Sequence, residues 1–148
     1  HPRRCSWGTL SNATRRYDNG RGEFETRLFL FQHLNDRNEA VRGATGWDGD
    51  RYAVVNTPQG QGIVWLTVWD SPVEAGEFYH LAGQAVEARY STKAKKSSTD
   101  LVKNYSAKGR TVQVSTQEIQ GRPVVIYVDV PAGANPTIIN PAQVTLKE

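Results

Sequence analysis

Residues 63–90 read IVWLTVWDSPVEAGEFYHLAGQAVEARY. The first seven are nearly all apolar and rich in β-branched and aromatic side chains, the composition of a strand covered on both faces or packed under a helix. Asp70-Ser71-Pro72-Val73-Glu74 then supplies a helix start. Ser71 caps, Pro72 sits at the first helical position where a missing N–H costs nothing, and Glu74 completes a capping box. Phe78, Leu81, Ala82, Ala85 and Val86 recur at helical spacing. The helix is therefore expected to run to about Tyr90 with that face inward and Glu74, Glu77 and Glu87 toward water.

Toward the N-terminus, residues 51–56 pair with this strand through the Pro- and Gly-containing loop TPQGQG, giving a first hairpin. The preceding GATGWDGDRY (43–52) reads as a turn region, with aspartates capping backbone amides and Arg51 pairing one of them. GEFETRLFLFQHL (22–34) carries Phe24, Leu28, Phe31 and Leu34 as one helical stripe, widened by Phe29 and Leu30. Asn35-Asp36 breaks it, and Asp36 with Glu39 has capping-box spacing for a short helix over 37–44. Toward the C-terminus, the polar, basic residues 91–109 read as a loop or frayed helix end. Residues 111–116 and 123–130 form a second hairpin around Gln120-Gly121.

The order helix, helix, strand, strand, helix, strand, strand predicts an α+β fold. Its antiparallel sheet has about four strands, from two hairpins, covered by helices, with extended arms at both ends. The domain is placed at 22–130. Residues 1–21 are read as an extended arm or linker that Trp7 and Leu10 can anchor. Residues 131–148 are read as an extended Pro-rich tail in which 144–146 can add a short strand.

Composition excludes several classes. The chain has 148 residues, enough for one domain. No apolar run approaches the ~20 residues that span a bilayer. The single cysteine, Cys5, permits neither an internal disulfide nor an all-cysteine metal site. The chain contains no methionine and starts at His1, which raises the expectation of a removed signal or anchor, or of a longer parent polypeptide. An exported, periplasmic or cell-surface location follows as an expectation. Residues 1–90 hold ten arginines against eleven carboxylates. Residues 91–148 hold eight basic residues against four acidic ones, so the net +3 comes from the C-terminal part.

Candidate chemistry is sparse. There is no Gly-x-Ser-x-Gly elbow, and Cys5, beside Arg3 and Arg4, reads as an incidental or tether cysteine. His1, His33 and His80 have no ligand spacing. Asp48-Gly49-Asp50 begins like a calcium loop, but Arg51-Tyr52-Ala53-Val54 ends the pattern. Gly60-Gln61-Gly62 lies inside a hairpin, not between strand and helix, so it is no phosphate cradle. No catalytic residue, cofactor or metal is assigned. Asn12-Ala13-Thr14 and Asn104-Tyr105-Ser106 are formal glycosylation sequons. Trp47, Trp65 and Trp69 gather around one hairpin as core or as a docking surface. Trp7, Trp65 and the basic residues Lys93, Lys95, Lys96, Lys103, Lys108 and Arg110 are the candidate interaction residues. The basic stretch suits an anionic lipid surface more than nucleic acid, for it has no aromatic repeat.

Residues 22–90 resemble the C-terminal domain of a poorly characterised family of exported bacterial and archaeal proteins. Members often carry an upstream zinc-peptidase-like region with a His-Glu-x-x-His helix. The resemblance rests on Gly22, Glu23 and Arg27; on Gly46, Trp47, Gly49, Asp50 and Arg51; on Trp69, Asp70 and Ser71; and on Ala75, Glu77 and Phe78. A weaker echo covers the second hairpin and Asp129-Val130-Pro131. With Asp48 and Glu74, the central motifs form the structural set. The peptidase-like region and its zinc ligands are absent here. The resemblance thus implies a non-catalytic extracytoplasmic accessory domain, a protein-binding subunit of a membrane-associated assembly. The alternatives are the C-terminal fragment of an exported zinc-peptidase-like enzyme, or binding to anionic surfaces through residues 93–110.

Overall fold

In the computed structural model the chain runs β1 (Arg4–Trp7), β2 (Thr14–Asn19), α1 (Gly22–Leu34), α2 (Arg37–Ala44), β3 (Trp47–Thr57), β4 (Gly60–Trp69), α3 (Pro72–Tyr90), β5 (Val102–Ala107), β6 (Arg110–Ile119), β7 (Arg122–Pro131), a 3-10 turn (Pro141–Gln143) and β8 (Val144–Lys147). The structure describes residues 3–8, 10, 14–19, 22–34 and 37–147. Of these, 14–19, 24, 25, 28, 31, 34 and 37 are described through their backbone alone. His1, the Asn12-Ala13 part of the first sequon and the Asn35-Asp36 break with its capping box lie outside the described residues. So do the side chains of the Phe24, Leu28, Phe31 and Leu34 stripe.

The α+β class holds. Six strands form one antiparallel sheet in the order β2-β3-β4-β7-β6-β5, and β1 pairs with β8 as a separate two-stranded ribbon. The expected four strands are all present, longer than predicted, and the additional ones arise where local signals are weak. Residues 1–21, expected as an extended arm, contribute β1 and β2, each extended but hydrogen-bonded. In residues 91–109, expected as a loop, β5 forms as an edge strand. Its Lys103, Tyr105 and Ala107 alternate with Val102, Asn104 and Ser106, so neither face reads as an apolar row. The turn into β6 is Lys108-Gly109, both at positive φ (52° and 73°), as a two-residue hairpin of this twist requires. Gln120-Gly121 turns β6 into β7 in the same way, at φ 50° and 76°.

The GATGWDGDRY stretch is also more ordered than a turn region. Trp47 already pairs with Trp69, and a bulge between Trp47 and Gly49 carries the chain into β3. α3 starts as read: Ser71 has extended backbone, its hydroxyl accepts the Glu74 N–H at 3.3 Å, and Pro72 opens the helix. Ala75, Phe78, Leu81, Ala82, Ala85 and Val86 are buried along it.

Alternate side chains of the central strands enter two different cores. On one face Trp65, Trp69, Val112, Val114, Val125 and Tyr127 pack against α3 and α1, which brings in Leu30 and Phe78. α2 packs on those two helices. On the other face Val55, Val64, Leu66, Val68, Val124, Ile126, Val128 and Val130 meet Cys5, Trp7, Leu10, Ala134, Ile138, Ile139 and Val144. Both ends of the chain therefore form a strap across the second face. Burial on both faces is why β4 and β7 read as continuous apolar runs. Among the described residues, no helix is long and apolar enough to cross a membrane.

Candidate functional site

The motif residues of the sequence reading converge at one end of the sheet. Asp48, half-buried, takes Arg3 Nε at 2.6 Å and Arg122 Nη2 at 2.7 Å, and Arg122 reaches on to Asp70 at 3.5 Å. The Arg3 backbone N–H donates to the Asp48 carbonyl at 2.5 Å. Arg51 Nη1 donates to the Cys5 carbonyl at 2.9 Å, and its guanidinium lies 5.4 Å from the Trp7 ring centroid. Asp48 and Arg51 thus hold the strap.

Asp50, buried, points the other way, toward the helices. It accepts Trp65 Nε1 at 2.7 Å and the Gly22 N–H at 3.1 Å, so one carboxylate fixes an indole of the core and caps the start of α1. Asp70 donates its N–H to the Gly46 carbonyl at 2.9 Å, and Trp69 Nε1 donates to Thr67 Oγ1 at 2.8 Å. Gly49 admits the strap: a Cβ there would sit 2.4 Å from the Arg3 carbonyl oxygen, and its φ is +151°. Trp47, Asp48, Asp50, Arg51, Trp69, Asp70, Ser71 and Glu74 therefore form one bracing node that ties strap, sheet and helices together.

A second cluster escaped the sequence reading. Asp129, 7% exposed, receives Tyr90 Oη at 2.5 Å, Tyr127 Oη at 3.4 Å and Arg110 Nε at 2.7 Å. Arg110 Nη2 also donates to the carbonyls of Asp129 and Gln61, each at 3.2 Å. Burial pushes the Tyr127 phenol far up, with the Asp129 charge adding to it. Tyr90 rises for the same first reason and through its hydrogen bond to Asp129. The available signal was Tyr127-x-Asp129 inside PVVIYVDVP: period two puts phenol and carboxylate on one face, and a lone carboxylate in an apolar strand needs a partner.

The candidate interaction residues do not form one surface. Trp7 and Trp65 are 3% and 1% exposed and belong to the two cores, which corrects their assignment as docking anchors. Among the basic residues, Lys93 pairs with Glu87 at 3.4 Å and Arg110 is held by Asp129. Lys103 is half-buried over the Tyr79 ring, at 4.6 Å from its centroid. Lys95, Lys96 and Lys108 are exposed, the last at the opposite end of β5 from the loop holding the other two. Glu87, expected toward water, accepts Tyr105 Oη at 3.2 Å, and burial pushes that phenol up, with the Glu87 charge adding to it.

His33 lies beside Arg89, 3.4 Å from its Nη1 to His33 Nε2, and edge-on to Phe29. His80 contacts Gln84 at 3.1 Å. Cys5 is buried as a free thiol, and burial pushes it up to about 12, with the Asp50 charge adding to it. Among the described residues no group of three or more His, Cys, Asp or Glu side chains is arranged to hold a metal ion.

A family described as a domain of unknown function (DUF8575) matches residues 12–137. No curated protein and no solved structure matches the chain.

Proposed function

The chain belongs to the DUF8575 family, a domain of unknown function, and from that premise we propose that it is a non-catalytic extracytoplasmic accessory domain that binds a protein partner in a membrane-associated assembly. The observation behind this reading is the commitment of its buried carboxylates. Asp50 holds Trp65 and the start of α1, and Asp129 holds Arg110, Tyr90 and Tyr127. Groups so engaged brace a surface rather than meet a substrate. The helical layer is the side offered to a partner, for Val41 on α2 and Val73 in the first turn of α3 are 41% and 71% exposed.

The finer reading, an exported relative of proteins with an upstream zinc-peptidase-like region, rests on the motif resemblance. It is tested by the coding sequence before His1. A His-Glu-x-x-His helix there assigns the chain to the tail of such an enzyme, and a signal or single anchor supports the accessory reading. Binding to anionic surfaces would have to rest on Lys95, Lys96 and Lys108 alone, since Lys93 and Arg110 are ion-paired and Lys103 is tucked over Tyr79.

Isolation of the tagged chain from its native source in gentle detergent tests the main proposal. A stoichiometric protein partner is expected, and it should be lost from the folded Val41→Asp/Val73→Asp variant. A free monomer, or a partner indifferent to the double substitution, would overturn the helical-layer reading.

A further inference from the structure

The last turn of α3 borders an open hollow of about 630 Å³, lined by Gln84, Glu87, Ala88, Ser91, Thr92 and Lys93. The chain forms it by ending the helix abruptly. Ser91 enters the left-handed region at φ 50°, and its N–H folds back onto the Glu87 carbonyl. The Thr92 N–H reaches the same carbonyl, at 3.2 Å. Among the described residues the carbonyls of Ala88, Arg89 and Tyr90 receive no backbone N–H from the loop that follows, and they carry the negative end of the helix dipole. Glu87 adds a full charge. Its side chain is 27% exposed, and Oε2 accepts Tyr105 Oη at 3.2 Å. One cation already sits on it: Lys93 Nζ lies 3.4 Å from Glu87 Oε1, at the end of a side chain that is 90% exposed. So exposed and long a contact contributes little, which makes Lys93 displaceable. The chain beside the hollow has the opposite sign. Arg89, Lys95 and Lys96 are exposed, against one carboxylate, Asp100, in residues 91–101.

We propose that this hollow binds one arginine side chain of a partner protein, carried on an otherwise acidic segment whose carboxylates meet Lys95 and Lys96. The guanidinium replaces the Lys93 ammonium on Glu87 and offers its remaining N–H groups to the end carbonyls of α3 and to the Ser91 and Thr92 hydroxyls. A guanidinium suits this set because its planar fork holds two acceptors at once, where Lys93 makes a single long contact. The displaced Lys93 joins the basic rim. That rim repels a bare cation, so the neighbours of the arginine have to be acidic. The proposal rests on the protein-binding reading for the nature of its occupant. The two fail separately: peptide binding at Glu87 does not involve Val41 or Val73, and isolation of a partner through those valines does not involve Glu87.

The test is titration of the full-length chain with the peptide acetyl-Asp-Glu-Arg-Glu-Asp-amide at low ionic strength, followed by amide NMR shifts. Shifts are expected to centre on Gln84, Glu87, Ser91 and Thr92. Glutamine in place of the peptide's arginine, and Glu87→Gln in the protein, are each expected to weaken binding about fivefold, the upper end for an exposed ion pair. Together they should weaken it no more than either alone, the mark of a direct pair in a double-mutant cycle. Glu87→Gln keeps an oxygen for Tyr105 to donate to, and its urea midpoint checks the fold, while the peptide change cannot affect folding. Equal binding of the glutamine peptide, or losses that simply add, would overturn the proposal, since the carboxylates would then be coating Lys95 and Lys96 alone. Absence of binding at millimolar peptide would overturn it as well.

Discussion

The two faces of the sheet are built on different chemistry. The strap-covered face is almost wholly aliphatic: Val55, Val64, Leu66, Val68, Val124, Ile126, Val128 and Val130 under Trp7, Ile138 and Ile139. The helix-covered face sets Trp65, Trp69, Phe78 and Tyr127 among buried polar groups, Asp50, Thr67 and Asp129. Aliphatic contact is non-directional, so any apolar cover of the right size suffices, and two short terminal segments supply it. Helices are long rods that can slide or rotate, and here α1 and α3 are pinned by directional bonds. Gly22 N–H is fixed on Asp50, Tyr90 on Asp129, and Tyr105 on the Gly83 carbonyl. The polar groups of this chain locate its helices, while its aliphatic groups supply cohesion.

Two adjacent residues of β7 separate the two faces most clearly. Asp129→Ala leaves Arg110 and two phenols facing a cavity, and is expected to cost about 3–4 kcal/mol, toward the low end of broken buried ion pairs because Arg110 is partly exposed. Val128→Ala, one residue earlier and on the other face, removes only aliphatic packing and is expected to cost about 2 kcal/mol. Urea midpoints give both values. A near-neutral Asp129→Ala would sink the idea that the polar face depends on its anchors.

The same contrast explains what could be read from the sequence. Ser71-Pro72-Val73-Glu74, the inward face of α3, and β4 and β7 were legible because capping and apolar runs are local signals. β1 and β2 were not, since strands gained by pairing with segments up to 143 and 42 residues away leave no local period. β5 was hidden because its inward side chains are Lys103, Tyr105 and Ala107, and its Lys108-Gly109 turn lacks the Asn-Gly or Asp-Gly signature. In the candidate site, the sequence marked a turn whose aspartates cap backbone amides with Arg51 pairing one of them; the structure gives Asp48 to Arg3 and Arg122, Asp50 to Trp65 and the Gly22 N–H, and Arg51 to the Cys5 carbonyl. The turn's use as a dock for the N-terminal strand depends on tertiary placement alone. Tyr127-x-Asp129 carried a period-two signal, but Tyr90 reaches Asp129 from α3, 39 residues away, which no spacing rule anticipates.

On the strap side, Gly49→Ala is expected to cost about 2 kcal/mol, because its Cβ would sit 2.4 Å from backbone that cannot move without releasing β1, and the φ of +151° disfavours a side chain. The loss should be local. Cys5 belongs to the strap and is buried against the sheet, so its reaction with a disulfide reagent at neutral pH should be slow in the native chain and much faster in Gly49→Ala. Helical signal should stay intact. Thiol exposure that tracks global unfolding would show that the strap and the helical layer are one cooperative unit.

Alkaline pH separates the faces by an increment that grows with each pH unit. Cys5 is raised from 9.0 to about 12 and Tyr127 is raised far above 10.0, both chiefly by burial. Both are acids that keep their protons longer when folded. The unfolded chain therefore binds fewer protons above the ordinary value, and stability falls as pH rises. It is full below pH 9, falls by about 1.4 kcal/mol per unit through Cys5 above that, and falls more steeply above 10, where Tyr127 is joined by Tyr105, Tyr90 and Tyr79, all raised chiefly by burial. Cys5→Ala should delay the onset to pH 10, and urea midpoints between pH 8 and 11 measure it. Identical profiles for the two proteins would mean that the strap is open when the thiol ionises.

The smallest effect belongs to the edge that neither face covers. The loop after α3 closes the outer side of β5 through its backbone and a serine. Lys95 N–H donates to the Asn104 carbonyl at 2.7 Å, and Ser98 Oγ accepts the Asn104 N–H at 2.9 Å. The ammonium groups of Lys95 and Lys96 are exposed and take no part in this closure. Lys95→Gln/Lys96→Gln is therefore expected to shift stability by less than about 0.5 kcal/mol, while Ser98→Ala costs about 1 kcal/mol by freeing the Asn104 N–H. The lysine pair can still matter as charge, since basic side chains beside a sheet edge oppose pairing with another sheet. If so, the double variant should leave the urea midpoint in place yet raise aggregation at high protein concentration. A lowered midpoint without aggregation would assign the lysines to the fold instead.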